Sequence, residues 1–308
     1  MTPESPTPRH LHADSSHRSG YVALVGRPNV GKSTLLNQIL GLKVAAVTPR
    51  PQTTRRQLLG IKTLPGAQIL FFDTPGLHRA RDLLNRRMVA RARRVIEEAD
   101  VVVWLIDATE GLSPADRGIA ADLQSTHRPL IVAVNKIDRR SKAALLPLLA
   151  QVAELLPDAE IVPISARSGE NVARLLPVVA AALPEGPPFY DAEEVTTEPE
   201  RAIVAEIVRE KVMLETRDEV PYAVAVTTDV VEEKEERNLT VIKATIHVER
   251  EAQKPIIIGN RGQRLKAIGQ AARHEIEALL GRRVFLELFV RVQPEWTKQP
   301  ARLEEFGL

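Results

Sequence analysis

The chain has no cysteine, so disulfides and thiolate metal sites are excluded, and a reducing compartment is the natural setting. It also lacks a charge imbalance. Its 42 basic and 40 acidic residues leave a net charge of +2, so any basic surface for a partner must be local. Long apolar runs are missing too. The stretch VVVWLI, Val101 to Ile106, is typical and falls far short of the roughly 20 residues that cross a membrane. The first nineteen residues, MTPESPTPRHLHADSSHRS, contain no apolar segment and are not a signal peptide. His10, His12 and His17 lie among them, but this composition reads as a solvated, disordered tail (1–19) rather than a metal site.

What remains is an ordinary globular composition, 44% apolar and 27% charged, over 308 residues, which predicts two domains. From 20 to 183, the short apolar runs YVALV, ILFF, VVVWLI, LIVAV and IVPI alternate with amphipathic helical patterns. These cover Lys32–Leu40, Asp82–Glu97, Ala115–Gln124, Ala143–Leu155 and Val172–Ala182. The alternation predicts an α/β domain, a mostly parallel sheet with helices on both faces. The Pro-rich acidic stretch 184–200 reads as a linker. Residues 201–308 change character. A helical pattern through Ile203, Val204, Ile207, Val208 and Val212 leads into two alternating strands joined by the polar tip Glu232 to Asn238. Two helical segments and a last strand follow, giving α-β-β-α-α-β, a small α+β unit with a C-terminal tail.

Chemistry-bearing motifs fall at the strand ends. GRPNVGKST, Gly26 to Thr34, follows the strand YVALV and opens a helix, the context a phosphate-binding loop needs. The residues Gly26, Arg27, Pro28, Asn29, Val30, Gly31, Lys32, Ser33 and Thr34 are expected to wrap the phosphates with backbone N–H groups. Lys32 would bridge the β- and γ-phosphates and the Ser33 hydroxyl would hold Mg²⁺. In DTPG, Asp73 would reach Mg²⁺ and the Gly76 N–H the γ-phosphate, with Thr74 and Pro75 between them. In QTTR, Thr54 rather than Thr53 is expected to close onto Mg²⁺ when a γ-phosphate is present. NKID places Asn135, Lys136 and Asp138 after a buried strand. A carboxylate there accepts from guanine N1–H and N2–H₂, which adenine cannot match, and ISA brings Ser165 and the Ala166 N–H toward guanine O6. The nucleotide expected is GTP.

Two details bear on mechanism. In the Ras-like pattern a glutamine after the DTPG glycine orients the attacking water, whereas Leu77 stands here, so slow intrinsic turnover is expected. Asn29 is a candidate ligand for a K⁺ ion between the phosphates, weighed against a simple loop-capping role. Downstream, GNRG (Gly259 to Gly262) joins two helical segments in the type II KH arrangement, whose loop clamps single-stranded nucleic acid. Ile257, Gly259, Asn260, Arg261, Gly262, Arg264 and Lys266 are the candidate RNA contacts, with Ile256 to Ile258 and the following helix face forming a base groove. From Lys254 to Arg291, eight basic residues face three acidic ones, so the positive charge missing overall is concentrated here. Arg87, Arg91 and Arg94 line one helix face and read as a solvated stripe rather than an RNA contact.

These motifs, together with EIVREK, VPYAVAV, VEREAQKPIIIGNRGQRLKAIGQAAR and VFLELFVRVQPEW, resemble the Era family of bacterial ribosome-assembly GTPases over nearly the whole chain after the tail. The resemblance implies a GTPase that binds single-stranded RNA near the 3′ end of 16S rRNA and assists 30S subunit maturation, with Mg²⁺ as cofactor. It also implies a cytoplasmic monomer loosely associated with the inner face of the cell membrane, for which the sequence holds no feature. The linker DAEEVTTEPER departs from the family's pattern, which puts contacts between the domains in question. The alternatives are a tRNA-modifying GTPase, which needs a C-terminal cysteine absent here, a passive rRNA-binding assembly protein with a structural nucleotide site, and a membrane-signalling GTPase without RNA.

Overall fold

The apolar runs form the interior of a six-stranded sheet because each is buried on both faces. In the computed structural model, which describes residues 17–76, 83–234 and 238–308, the sheet strands are β1 (Arg18–Val25), β2 (Leu58–Leu64), β3 (Ala67–Asp73), β4 (Val101–Asp107), β5 (Leu130–Asn135) and β6 (Glu160–Pro163). They lie in the order β2-β3-β1-β4-β5-β6, parallel throughout except for the antiparallel edge strand β2. Every residue of β4 is buried. Its alternate side chains divide between two cores: Val101, Val103 and Leu105 toward α1 (Lys32–Leu40) and α5 (Val172–Ala182), and Val102, Trp104 and Ile106 toward α2 (Leu83–Glu98), α3 (Pro114–Gln124) and α4 (Lys142–Leu155). Local signals set the ends. α3 starts at a capping box in which Ser113 and Asp116 satisfy each other's backbone N–H groups, with Pro114 in the first turn.

The C-terminal unit has the expected order, α6 (Glu200–Glu215), β7 (Ala225–Lys234), β8 (Leu239–Val248), α7 (Gln253–Ile258), α8 (Gln263–Leu280) and β9 (Arg283–Val292). β7 and β8 pair antiparallel, β8 and β9 parallel. Ile242, Ala244, Ile246 and Val248 all face the helices and are fully buried, as their alternation predicts. One continuous buried cluster runs from the α1 face of the large sheet through Val44 and Ala45 into α6 and the small sheet, so the two domains share a core.

Four expectations need correction. Residues 1–16 and part of the polar tip (235–237) lie outside the described residues, but Arg18 and Ser19, expected in the tail, are in β1, with Ser19 buried. Strand β2 was not anticipated. The 184–200 stretch is not a free linker: it docks along the sheet, where Ile61 N–H donates to the Val195 carbonyl at 2.8 Å and Gln68 bonds both Phe189 and Tyr190. An edge strand leaves backbone groups open, and this segment supplies their partners. The tail after β9 also folds. Trp296 is fully buried and donates to the Ala223 carbonyl at 3.1 Å, and α9 (Pro300–Glu305) sets Phe306 edge-to-face against it at 5.2 Å. This C-terminal segment packs against Leu84 and Met88 of α2, bridging the domains a second time.

Candidate nucleotide site and nucleic-acid interface

The first site lies at the C-terminal ends of β1 and β3. Residues Gly26 to Gly31 loop from β1 into α1, and a cavity there is lined by Pro28, Asn29, Gly31 to Thr34, Ala46 to Thr48, Gln52 to Thr54 and Gly76. The Lys32 ammonium is buried in the loop it follows, donating to the carbonyls of Gly26 (3.1 Å) and Arg27 (3.0 Å). Burial lowers its pKa from 10.5 to about 8, against the pull of Asp73. Arg27 turns away: its guanidinium is held by Asp116 and Glu110, leaving only its backbone to the loop. Asn29 donates its side-chain amide to the Pro49 carbonyl at 2.8 Å, tying the loop to the segment that carries Thr54.

The three hydroxyl and carboxylate groups expected around a cation meet. Ser33 Oγ lies 2.6 Å from both Thr54 Oγ1 and Asp73 Oδ2, and Thr54 Oγ1 is 3.2 Å from the same carboxylate oxygen. Thr53 instead bonds Thr48 and the Arg50 carbonyl. Asp73 is fully buried, which raises its pKa, and its Oδ1 has no hydrogen-bond partner among the described residues. Thr74 donates to the Leu24 carbonyl at 2.7 Å, fixing the loop that follows β3. Pro75 leads to Gly76, where an added Cβ would come within 2.6 Å of Pro28 N, so only glycine lets this loop lie against the first. Leu77 lies outside the described residues.

At the end of β5, Asn135 donates to the Val30 carbonyl (2.7 Å) and accepts from the Ala166 N–H (2.8 Å), joining three loops. The Ala166 N–H, expected near a guanine O6, is thus turned to Asn135 here. Lys136 bonds Asp107 and the Asn29 carbonyl. Burial alone would raise the Asp107 carboxyl, but this lysine and Thr109 hold it below the usual range. Ser165 donates to Asp138 Oδ1 at 2.7 Å. Asp138, expected as a buried carboxylate, is exposed, because the turn after β5 carries it to the rim.

The second site is on the C-terminal unit. The stretch Pro255 to Ile258 is helical, and GNRG bends the chain from α7 into α8. Gly259 has φ 73 and ψ 179, a conformation closed to other residues, and a Cβ there would meet Arg264 at 2.7 Å. Gly262 is left-handed with open space around it. Beside this turn runs a groove lined by Gly262, Leu265, Lys266, Gly269, Arg273 and Phe285, with Leu286 and Leu288 on its floor. Ile257, expected to touch a ligand, is instead fully buried in the core, while Ile256 is exposed. A six-residue helix has one inward side, and Ile257 occupies it. Arg264 reaches back to the Ile256 carbonyl, and Asn260 and Arg261 form the tip. Leu265, Gly269, Arg273 and Phe285 were not among the candidate RNA contacts; the three on α8 and the aromatic on the edge strand beside it were the available signal. The basic stripe on α2 is not simply solvated either: Arg87 and Arg91 donate to the carbonyls of Leu308 and Gly307.

Comparison with known proteins covers both domains. Residues 21–136 match the family model described as "50S ribosome-binding GTPase", and residues 219–297 match that of the KH domain. The GTPase Era of Geotalea daltonii is 48% identical over 294 residues, covering 96% of this chain and 99% of its own length. This chain belongs to the Era family of GTPases. The Era of Aquifex aeolicus is 47% identical over 295 residues, with 94% and 98% covered. Among solved structures, Era in complex with MgGDPNP and nucleotides 1506–1542 of 16S ribosomal RNA superposes with a TM-score of 0.90 at 46% identity, covering 94% of this chain and 99% of that one. Membership in the Era family makes the protein a GTPase with a P-loop domain followed by a KH domain. No described helix is long and apolar enough to cross a membrane.

Proposed function

We propose that the protein is a GTP-hydrolysing switch that binds single-stranded RNA at the 3′ end of 16S rRNA and assists 30S subunit maturation. The observation that carries this reading is the whole-chain likeness to the Era that was solved with MgGDPNP and 16S nucleotides 1506–1542, since the cavity and the GNRG groove both lie inside the shared span. The domain limits proposed are a GTPase domain to 183 and a KH domain from 201, with 184–200 docked between them.

Roles follow from the geometry. Backbone N–H groups from Gly26 to Thr34 cradle the phosphates, and the Lys32 ammonium exchanges its two carbonyl partners for β- and γ-phosphate oxygens. Ser33, Thr54 and Asp73 offer hard oxygens suited to Mg²⁺, and the unpartnered Asp73 Oδ1 is a buried acceptor that a cation satisfies. When bound, Mg²⁺ supplies positive charge to the β- and γ-phosphate oxygens. The Gly76 N–H is assigned to the γ-phosphate. Asp138 pairs with the guanine edge while Ser165 orients it, and Asn135 with Lys136 braces the guanine pocket against the phosphate loop. With Ala166 Nα turned to Asn135, its donation to guanine O6 requires Asn135 to release it. The oxygen of the Asn29 amide, whose nitrogen is given to Pro49, is the proposed K⁺ ligand. Leu77 brings no hydrogen bond to an attacking water, so intrinsic turnover is slow. Both proposed sites lie on one chain, which supports a monomer; the work beside the ribosome puts it in the cytoplasm. Loose membrane association forms no part of the proposal.

The test is binding of a short RNA matching the 16S 3′ end to the full chain with GDP, with a non-hydrolysable GTP analogue, and to a Gly262→Asp variant. Aspartate tolerates the left-handed conformation at 262 and puts a carboxylate where phosphates must come. Analogue-dependent binding that is lost in the variant is expected. Binding that ignores both the nucleotide and the variant refutes the reading.

A further inference from the structure

The segment that carries Thr54 is held from outside its own domain. α6 of the C-terminal unit reaches it at two points: the Glu210 carboxylate accepts the Val47 N–H at 2.7 Å, and the Arg209 guanidinium donates to the Thr53 carbonyl at 2.6 Å. On the other side of Thr54, Arg55 donates to the carbonyls of Pro221, Tyr222 and Val224 at 2.7 to 3.0 Å. Both peptide neighbours of Thr54 are therefore anchored to the KH unit, and neither Arg55 nor Arg209 lines the nucleotide cavity.

Arg209 is built for this task. It is 3% exposed, and its Nε and Nη2 are forked onto the Glu206 carboxylate one turn earlier, while Nη1 lies 3.1 Å from Met213 Sδ. Burial alone would raise the Glu206 carboxyl, but Arg209 foremost, with Arg56 and Arg55, holds it below the usual range, so the buried pair stays ionised. A planar guanidinium committed on all sides has one available rotamer and presents one N–H toward Thr53. Isolated, such a buried pair is poor evidence for stability, since apolar residues of the same volume do as well. Its place on a face pointed at Thr53 suits it to another task.

We propose that Arg209 is a positioning residue for the nucleotide reaction, holding the Thr53–Thr54 peptide so that the Thr54 hydroxyl stays beside Ser33 and Asp73. The inference rests on the reading of Thr54 as the hydroxyl that closes on the γ-phosphate state. A ligand shifts an equilibrium only through contacts that differ between its states. If Thr54 leaves the cation site when the γ-phosphate is lost, the Thr53 carbonyl leaves Arg209 with it, so the bond counts only in the triphosphate state. The KH side has a route to the same anchor. Glu275 on α8, the helix that GNRG opens, pairs with Lys43 at 2.7 Å and with Lys211, and both lysines also bind Glu210. A displacement of α8 by bound RNA is felt at α6, and coupling of this kind is reciprocal.

The experiment uses the full chain with Mg²⁺ and compares wild type, Arg209→Lys and the double variant Glu206→Gln with Arg209→Met, which removes both charges of the pair together. Affinities for GDP and for a non-hydrolysable GTP analogue are measured, together with amide hydrogen exchange of residues 46–56 in each state. The double variant is expected to weaken the analogue about tenfold, the size of a lost charge-assisted hydrogen bond, and to leave GDP within about twofold. Exchange of 46–56 should rise in the analogue state only. Arg209→Lys, which keeps a donor but not the fork, should fall between, and it carries the test alone should the double variant not fold. Equal weakening of GDP and analogue, or no change in either affinity or exchange, overturns the inference. If wild type itself shows no difference in 46–56 between GDP and analogue, the proposed switch is refuted, and the inference with it.

Discussion

Raising the pH tests the environment of Lys32 directly. Its ammonium is buried against two carbonyls, which lowers its pKa from 10.5 to about 8. In the free protein the unfolded chain binds more protons than the folded one between those values, so stability of the nucleotide-free form rises with pH across that window. Nucleotide binding runs the other way. Phosphate oxygens beside the lysine favour its charged form, so binding takes up the proton that the free protein has released. With a free-state pKa of about 8, the apparent GDP affinity falls about fourfold by pH 8.5 and about tenfold by pH 9, relative to neutral pH. Proton uptake at pH 8.5 is about three quarters of a proton per GDP bound. Isothermal titration in buffers of different ionisation enthalpy reads this number directly. Guanine N1–H also titrates at alkaline pH, so guanosine, which has the base and no phosphate, is the control. An uptake near zero at pH 8.5, or the same uptake for guanosine as for GDP, refutes the argument. It would mean either that Lys32 stays charged in its carbonyl cage or that the phosphates do not reach it.

Three further predictions concern other parts of the molecule. If Asn29 ligates K⁺, single-turnover GTP hydrolysis will be faster in potassium than in sodium buffer; equal rates would leave Asn29 with the tie to Pro49 alone. Phe306 is 1% exposed, with ring contacts to Trp296 and His247, so Phe306→Ala should cost about 3–5 kcal/mol in denaturant unfolding. Phe289→Ala, at a half-exposed position, should change stability by less than about 0.5 kcal/mol. A Phe306 variant as stable as wild type would mean that the C-terminal segment does not form part of the core.

Legibility in the sequence followed burial. β1, β4 and β5 are covered on both faces, so they read as apolar runs, and the motifs sit where those runs end. β2 escaped because it is an edge strand, half-covered, with Gly60 and Lys62 interrupting its apolar residues. Ile257 was misassigned because three consecutive isoleucines carry no phase: periodicity tells inside from outside only when polar residues mark the outer face. The arginines were harder still. Arg87 and Arg91 bond carbonyls more than 200 positions away, and Arg209 with Glu206 has the i, i+3 spacing of an ordinary surface pair. Backbone carbonyls are the same in every residue, so no pattern in the sequence announces that a side chain has found one.

What those carbonyl contacts add up to is an arrangement the motifs alone do not reveal. α6 grips Val47 and Thr53, and the turn from Trp296 to Leu308 packs on α2, the helix after the Asp73–Gly76 loop. The segment carrying Thr54 and the Asp73–Gly76 loop are the two proposed to sense the γ-phosphate; the C-terminal unit holds the first directly and packs on the helix that follows the second. A phosphate that orders both acts on one body through two separate contacts. Neither contact has to carry the whole coupling, since each contributes only its own difference between the two nucleotide states. Loss of the Arg209 anchor should therefore weaken communication between the sites without abolishing it, because the packing of Leu84 and Met88 on the C-terminal turn remains.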